Sequence, residues 1–335
     1  MKQLTLFKDL GVELVPPLEI QLPNPSDVFK YIICLSGGKD SIACLLWAIE
    51  ELGVDRLEIW HHEIDGTGAN FADWKVTKPY CKAIAEHFGI PIYFSWLGGG
   101  FEGELLRDNV PHRETWYETP DGLMSSGGNG KPNVRRRFPS KSADLRVRWC
   151  SSSLKIDVCR AAIANQERFK DKTIVVVTGE RRQESQNRAK YAFAGEYMAP
   201  TKRGRRVYQI RPVLDWTIEM VWEKIAQYKI RPHPAYQWGT GRLSCRTCIF
   251  ASPAQWATIR RDYPATFDRI SSLERELNHT IDAKYSVEQL ADRGVPYPHQ
   301  PDIAALADSE TWDLPIIDPN WQLPLGAFGE QNGAS

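Results

Sequence analysis

Residues 31–53 read YIICLSGGKDSIACLLWAIEELG, and this stretch decides the fold. Tyr31 to Leu35 is a short apolar run suited to a buried strand. Ile42, Leu45, Leu46, Ile49 and Leu52 then recur at helical spacing, with Gly53 placed to cap the helix end. Between strand and helix stand Ser36, Gly37, Gly38, Lys39, Asp40 and Ser41. Glycines let backbone N–H groups come close to an anion, and a helix N-terminus adds partial positive charge. The stretch reads as a phosphate cradle. It is not a Walker A loop, because no glycine stands five positions before a Gly-Lys-Ser/Thr, and it is not the G-x-G-x-x-G dinucleotide turn. A glycine turn that merely joins strand to helix is the plain alternative; a lysine, an aspartate and two serines packed into the turn weigh against it.

Outward from this stretch, strands and helices alternate. RLEIW (56–60) reads as a second strand and 73–88 as a helix ended by Gly89. IPIYFSW (90–96) reads as a third strand, and TIVVVTGE (173–180) as another, running into the turn Gly179–Arg182. This pattern predicts an α/β fold, a parallel twisted sheet flanked by helices, with ligands at the carboxyl ends of the strands. SGGKDS and the Gly179–Arg182 turn both fall at such ends. Residues 97–148 show little periodicity and read as a long loop. From 216 on, WTIEMVWEKIAQY predicts an amphipathic helix with Ile218, Val221, Trp222 and Ile225 on one face. The expected organisation is an N-terminal arm (1–27), a nucleotide-binding α/β domain (28–215), and a helical C-terminal region with a CxxC and an acidic tail (216–335).

The chain has 335 residues with 42 Lys+Arg against 42 Asp+Glu, so its global charge points to no partner. Locally, 131–160 and 181–211 each carry nine Lys/Arg and two acids, whereas from 294 on there are six acids and no Lys or Arg. A basic face covered by an acidic tail is the expectation from this asymmetry. In the first basic run Arg135, Arg136, Arg137, Lys141, Arg146 and Arg148, with Trp149 beside them, suit a nucleic-acid backbone and a stacked base; a solvated loop is the competing view. With no apolar run of 18 residues, no membrane partner is expected, and the cytoplasm is the expected location. Seven cysteines, an odd number, argue against a disulfide framework.

Four further blocks follow the cradle: RVRWCSSSLKID (146–157), GERRQESQNRA (179–189), RPVLDWTIEMVWEKI (211–225) and GRLSCRTC (241–248). SGGKDS resembles the PP-motif of the ATP pyrophosphatase superfamily, whose members split ATP to AMP and pyrophosphate or bind a sulfonucleotide in the same place. Together the five blocks, over about 28–252, resemble its phosphoadenosine phosphosulfate reductase-like branch. The fold this implies is adenine nucleotide alpha hydrolase-like with a helical, cysteine-bearing C-terminal part.

The cysteines carry the second constellation. Cys245-x-x-Cys248 on a tight turn can place two thiolates on one metal or cluster. Cys150 opens a helix behind Arg146 and Arg148, a setting that should lower its pKa. In cluster-bearing relatives a Cys-Cys pair stands at this point and joins the CxxC in holding a [4Fe–4S] cluster. Here Ser151 follows Cys150, which leaves Cys150, Cys245 and Cys248 with either one open iron or a fourth ligand the sequence does not identify; zinc is the second choice of occupant and unliganded thiols the third. Cys159 lies nine residues after Cys150 and is expected on the opposite helix face. Cys34, Cys44 and Cys81 read as core, and His61 and His62 as strand-end histidines with a ligand role as the alternative.

The resemblance also sorts the reactions. Sulfonucleotide reductases of this pattern carry their nucleophile in a C-terminal Glu-Cys-Gly, but the 87 residues after Cys248 contain no cysteine. Sulfonucleotide reduction is therefore the second reading. The first is an ATP pyrophosphatase most like the DndC/SspD-type proteins of DNA phosphorothioation, and an ATP-gated, non-catalytic component of a DNA-modification complex is the third. The first reading implies ATP with Mg²⁺, a DNA acceptor, a cysteine desulfurase or other sulfur donor, and other proteins of such a system; it also allows a homodimer. Lys39, Asp40 and Arg181 would be catalytic. Ser36 to Ser41, with Gly179 and Arg182, would hold the nucleotide.

Overall fold

Strand β1 (Val28–Cys34) is apolar on both faces because both are covered: Tyr31 and Ile33 point into one core, Ile32 into another. The computed structural model describes residues 20–66, 71–198 and 204–329, so most of the expected arm lies outside them. The other strands are β2 (Leu57–Glu63), β3 (Ile92–Leu97), β4 (Glu114–Thr119), β5 (Gly122–Gly127), β6 (Thr173–Val177), β7 (Ala194–Met198) and β8 (Arg206–Ile210). Helices α1 (Lys39–Leu52), α2 (Thr77–Phe88) and α3 (Gly100–Leu105) precede the central region. A short α4 (Trp149–Ser151) passes through a π-helical turn (Ser152–Ile156) into α5 (Asp157–Asn165), and α6 (Gln186–Ala189) follows β6. The C-terminal part holds α7 (Ile218–Gln227), α8 (Pro234–Trp238), α9 (Pro253–Asp262), α10 (Pro264–Leu277), α11 (Val287–Asp292) and α12 (Pro301–Ala307).

The eight strands form one sheet in the order β5-β4-β3-β2-β1-β6-β8-β7. β3, β2, β1, β6 and β8 are mutually parallel, while β4 and β7 run antiparallel to their neighbours at the two edges. Strand order reverses between β1 and β6, and a crevice at such a switch point is where an open α/β sheet binds its ligand. The loop after β1 is SGGKDS and the turn after β6 is Gly179–Arg182, so the topology brings the two together. The expected fold class, a mostly parallel sheet flanked by helices with a helical C-terminal part, is the one found.

Two expectations need correcting. Residues 97–148 are not one long loop: they hold α3 and the β4–β5 hairpin, which extends the sheet beyond β3. Pro120-Asp121-Gly122 is an ordinary turn signal between its strands, and exposure of Leu123 and Met124 on the outer strand blurs the two-residue pattern. The acidic tail does not cover the basic runs. Ile316 and Ala327 enter the core around α1 and α7, Trp222 Nε1 donates to Ala327 O (3.0 Å), and Ile230 pairs with Ile317. Its carboxylates meet other cations, Asp308 with Arg246 (2.6 Å) and Asp318 with Arg231 (2.9 Å).

Candidate functional site

The cradle is built from the end of β1 and the first turn of α1. Gly37 has φ +77°, which a side chain would strain. Ser41 Oγ donates to Gly38 O (2.8 Å) and accepts from Ser36 N (3.2 Å), which fixes the loop. Gly179 lets the β6 turn approach: a Cβ there would lie 3.0 Å from the Asp40 carbonyl carbon and oxygen. Its role is close backbone packing against the start of α1.

Charge at the cradle is concentrated in three side chains. Lys39 is 1% exposed, and its Nζ donates to Gly241 O (3.3 Å) and lies 3.3 Å from Asp40 Oδ2. Arg181, also buried, donates through Nε to Asp40 Oδ1 (2.5 Å) and through Nη1 to Gln183 Oε1 (2.7 Å). Burial lowers the Lys39 pKa, with Asp40 opposing it. Burial would raise the Asp40 pKa, but Lys39 and Arg181 outweigh it and hold the carboxyl below its ordinary range. Arg182 is turned elsewhere, to Asp215 (2.6 Å) and the carbonyls of Ala189 and Tyr191. Glu184 caps the turn by accepting Arg181 N–H (2.7 Å) and the Arg188 guanidinium.

One segment connects this cradle to the cysteines. Tyr236 OH accepts from Lys39 N (2.9 Å) and Leu243 N (3.2 Å), and Leu243 lies against Gly37 and Gly38. From Gly241, whose carbonyl meets Lys39, the chain runs directly to Cys245 and Cys248. Ser244 O accepts from Trp74 Nε1 (2.9 Å), and Thr247 N–H donates to Ala72 O (3.1 Å). Cys248 Sγ accepts the Phe250 N–H (3.4 Å), a contact suited to a thiolate.

Cys150, Cys245 and Cys248 are half-buried around one apolar core, and Cys248 is close enough to help raise the pKa of both Cys150 and Cys245. Lys155, in the π-helical turn, lies with them. Burial would lower its pKa, but Cys245, Asp73, Cys150 and Cys248 raise it. Sequence reasoning passed over Lys155, Asp73 and Tyr236; a π turn leaves no sequence signal of its own. The expected low pKa of Cys150 is corrected: burial and Cys248 push it up to about 11, against which Lys155 and Arg148 weigh less. Among the described residues these three do not form a group within the 4.8 Å that bounds a single-ion site.

The basic run is largely spoken for. Arg135 pairs with buried Glu104 (2.8 Å) and lies over the Trp149 ring, and Trp149 itself is 2% exposed, so it cannot stack a base. Arg136 meets Glu276, Lys141 meets Asp282 (2.7 Å) and Arg146 meets Asp144 (2.7 Å). Arg148 differs: its Nε is buried without a hydrogen bond, and it stands near Cys150, Arg188 and Arg242.

Other cysteines and histidines are also placed. Cys44 and Cys81 are core, as expected. Cys34 is not simply core: with His62 and Cys159 it forms a compact trio on the opposite sheet face from α1. Cys159 turns into that face rather than toward Cys150. His61 is buried and paired with Leu35 O (2.8 Å).

The switch point in strand order, the glycine-rich strand–helix turn placed there and a cysteine-bearing segment folded onto it define a nucleotide-binding α/β domain. The phosphoadenosine phosphosulfate reductase domain family matches residues 129–251, which include Cys150, Arg181, Cys245 and Cys248 but not the cradle. A 37.8 kDa protein of Escherichia phage 186, from the region 5′ of gpa and described as uncharacterized, is 36% identical over 256 residues, 73% of this chain and 74% of the relative. A Methanocaldococcus jannaschii protein, MJ0066, also described as uncharacterized, is 23% identical over 247 residues; the chain spans 73% of itself but only 41% of that relative. Among solved structures, Candida glabrata FMN adenylyltransferase with FMN and the ATP analog AMPCPP is similar at a TM-score of 0.37 and 10% identity, covering 67% of this chain and 57% of that one. A likeness that loose adds nothing to what the sheet itself shows. The chain belongs to one family with the phage 186 protein, and its residues 129–251 match the phosphoadenosine phosphosulfate reductase domain. No helix among its described residues is long and apolar enough to cross a membrane.

Proposed function

We propose that this protein is an ATP pyrophosphatase that activates an oxygen of a nucleic-acid acceptor, a DNA backbone phosphate, for replacement by sulfur. The observation that carries the reading is the 236–248 segment, which touches Lys39 at Gly241 and two residues past Leu243 presents Cys245. Nucleotide activation and sulfur handling would thus share one wall.

The chemistry balances as follows. An acceptor phosphate oxygen attacks the α-phosphorus of ATP, the α–β bridging bond breaks, and pyrophosphate leaves. A sulfur nucleophile then attacks the acceptor phosphorus, and the adenylated oxygen departs with AMP. Lys39 and the N-terminal end of α1 stabilise charge on the departing pyrophosphate, with Mg²⁺ bound to the nucleotide. Asp40 opposes the loss of charge on Lys39 and holds the Arg181 guanidinium in place. Arg148, with an unpartnered buried Nε beside Cys150, supplies a cation for the acceptor phosphate. A [4Fe–4S] cluster on Cys150, Cys245 and Cys248 would supply an iron open to an external sulfur ligand. A desulfurase-type donor and further proteins of a DNA-modification system complete the reading. Sulfonucleotide reduction stays second because residues 249–335 hold no cysteine to serve as its nucleophile.

The test is the iron and acid-labile sulfide content of anaerobically purified protein beside Cys245→Ala. Iron and sulfide in equal amounts, lost in the variant, is the expected result; zinc or no metal in the intact protein would remove the sulfur-handling half of the reading.

A further inference from the structure

We infer that Cys34, His62 and Cys159 form a second metal site, for a divalent ion of the zinc type, separate from the Cys150–Cys245–Cys248 group. Their ligand atoms, two Sγ and a ring nitrogen, all lie within 4.8 Å of one another. Tetrahedral zinc holds its sulfur and nitrogen ligands roughly 3.5–3.8 Å apart, so closure needs a shift of about 1 Å or less. Two thiolates and an imidazole suit zinc and softer divalent ions over magnesium or calcium.

The three ligands come from separate elements. Cys34 ends β1, His62 lies near the end of β2, and Cys159 is on α5. His62 Nδ1 is held by Ser95 Oγ (2.8 Å), while its buried Nε2 has no oxygen or nitrogen partner and the ring interacts with the Cys159 sulfur. A ligating histidine is held in this way: one ring nitrogen is fixed by an outer partner, and the lone pair of the other is left for the ion. Tyr197 also hydrogen-bonds Cys159, an outer partner for that sulfur. Cys159 is 1% exposed but Cys34 and His62 are only half-buried, which leaves an entry route and a fourth position for water.

Cys34 stands two residues before Ser36. An ion here would tie the end of β1 to β2 and α5 and so stiffen the cradle from behind. It needs neither the cluster nor turnover, and its failure would leave the pyrophosphatase reading untouched.

The experiment is a Co²⁺ titration of the full chain, reduced and freed of metal, in a Cys150→Ser/Cys245→Ser/Cys248→Ser background where that group cannot report and Cys44 and Cys81 are buried in the core. One equivalent should bind with a thiolate-to-cobalt charge-transfer band and tetrahedral visible bands, both displaced by Zn²⁺. Cys159→Ser should abolish the charge-transfer band or reduce it to that of one thiolate, and His62→Ala should abolish it or shift it to that of two thiolates without imidazole. Ser95→Ala should weaken binding about 10–100-fold with unchanged circular dichroism. Absence of a thiolate band from the folded background, or a band that survives both Cys159→Ser and His62→Ala, would overturn the site. So would a reduced protein that binds no cobalt yet closes a Cys34–Cys159 disulfide in air. If the triple background does not fold, zinc content of the otherwise native chain decides: Cys159→Ser and His62→Ala must each lower it by one equivalent, and unchanged zinc contradicts the proposal.

Discussion

Asp40 sits between two buried cations, and removing its charge has consequences on both sides. Asp40→Asn leaves the Arg181 guanidinium buried against a neutral amide and should cost about 3 kcal/mol, read from the urea midpoint. The same change should lower affinity for ATP, because Lys39 loses the carboxylate that opposes its loss of charge. Lys39→Ala acts differently: pyrophosphate release should stop while bound iron is retained, and loss of iron as well would mean that cradle and cysteines are not separable sites. Ser36 to Ser41 were readable from residue types alone, since Gly, Lys and Ser before an apolar helix leave few other uses. The partners of Lys39 were not, because Tyr236 and Gly241 lie about 200 residues away in the chain. Cys34 misled for a local reason: an apolar strand surrounds it in sequence, yet its side chain meets His62 and Cys159.

Among the elements, α7 was fully legible. Its four expected apolar positions, Ile218, Val221, Trp222 and Ile225, are the buried ones, and Thr217 caps it through Met220 N–H. The β4–β5 hairpin was not, because an edge strand with one exposed face carries a weak pattern. The short α8 presents a different test through His233, which is fully buried. Its Nδ1 accepts the Ala235 N–H (3.1 Å), and burial, with His61 adding, depresses its pKa to about 3. Burial likewise takes His61 to about 4. In the unfolded chain both titrate near pH 6.5, so the unfolded state binds more protons as pH falls below that value. Their stabilising contribution is complete above pH 6.5 and should fall by about 1.4 kcal/mol per pH unit per histidine between there and about pH 4. His233→Gln should make that acid limb shallower by one histidine's share in urea midpoints taken across the range; an unchanged slope would contradict the assignment. The tail segment 310–329 belongs to the core rather than to a cover for DNA. Deleting it exposes the sites of Ile316 and Ala327 and should lower stability by about 3 kcal/mol or more, seen as a drop in Tm.

For the molecule as a whole, the order β5-β4-β3-β2-β1-β6-β8-β7 puts the reversal of strand order at the cradle. Alternation of strand and helix was enough to anticipate a parallel sheet and which strand ends meet. It could not show that the 236–248 segment folds back over Gly37 and Gly38, because such packing depends on distant side chains. Nor could charge counting show that most of the basic run is neutralised within the chain, which narrows a nucleic-acid contact to groups such as Arg148. The central claim is that ATP bound at this reversal is cleaved between its α- and β-phosphates. The direct measurement is product analysis of ATP incubated with the anaerobically purified protein, Mg²⁺, duplex DNA and a sulfide donor. AMP and pyrophosphate in equal amounts, absent with Lys39→Ala, is the predicted result. ADP and phosphate, no turnover, or AMP formation that persists in Lys39→Ala would contradict it.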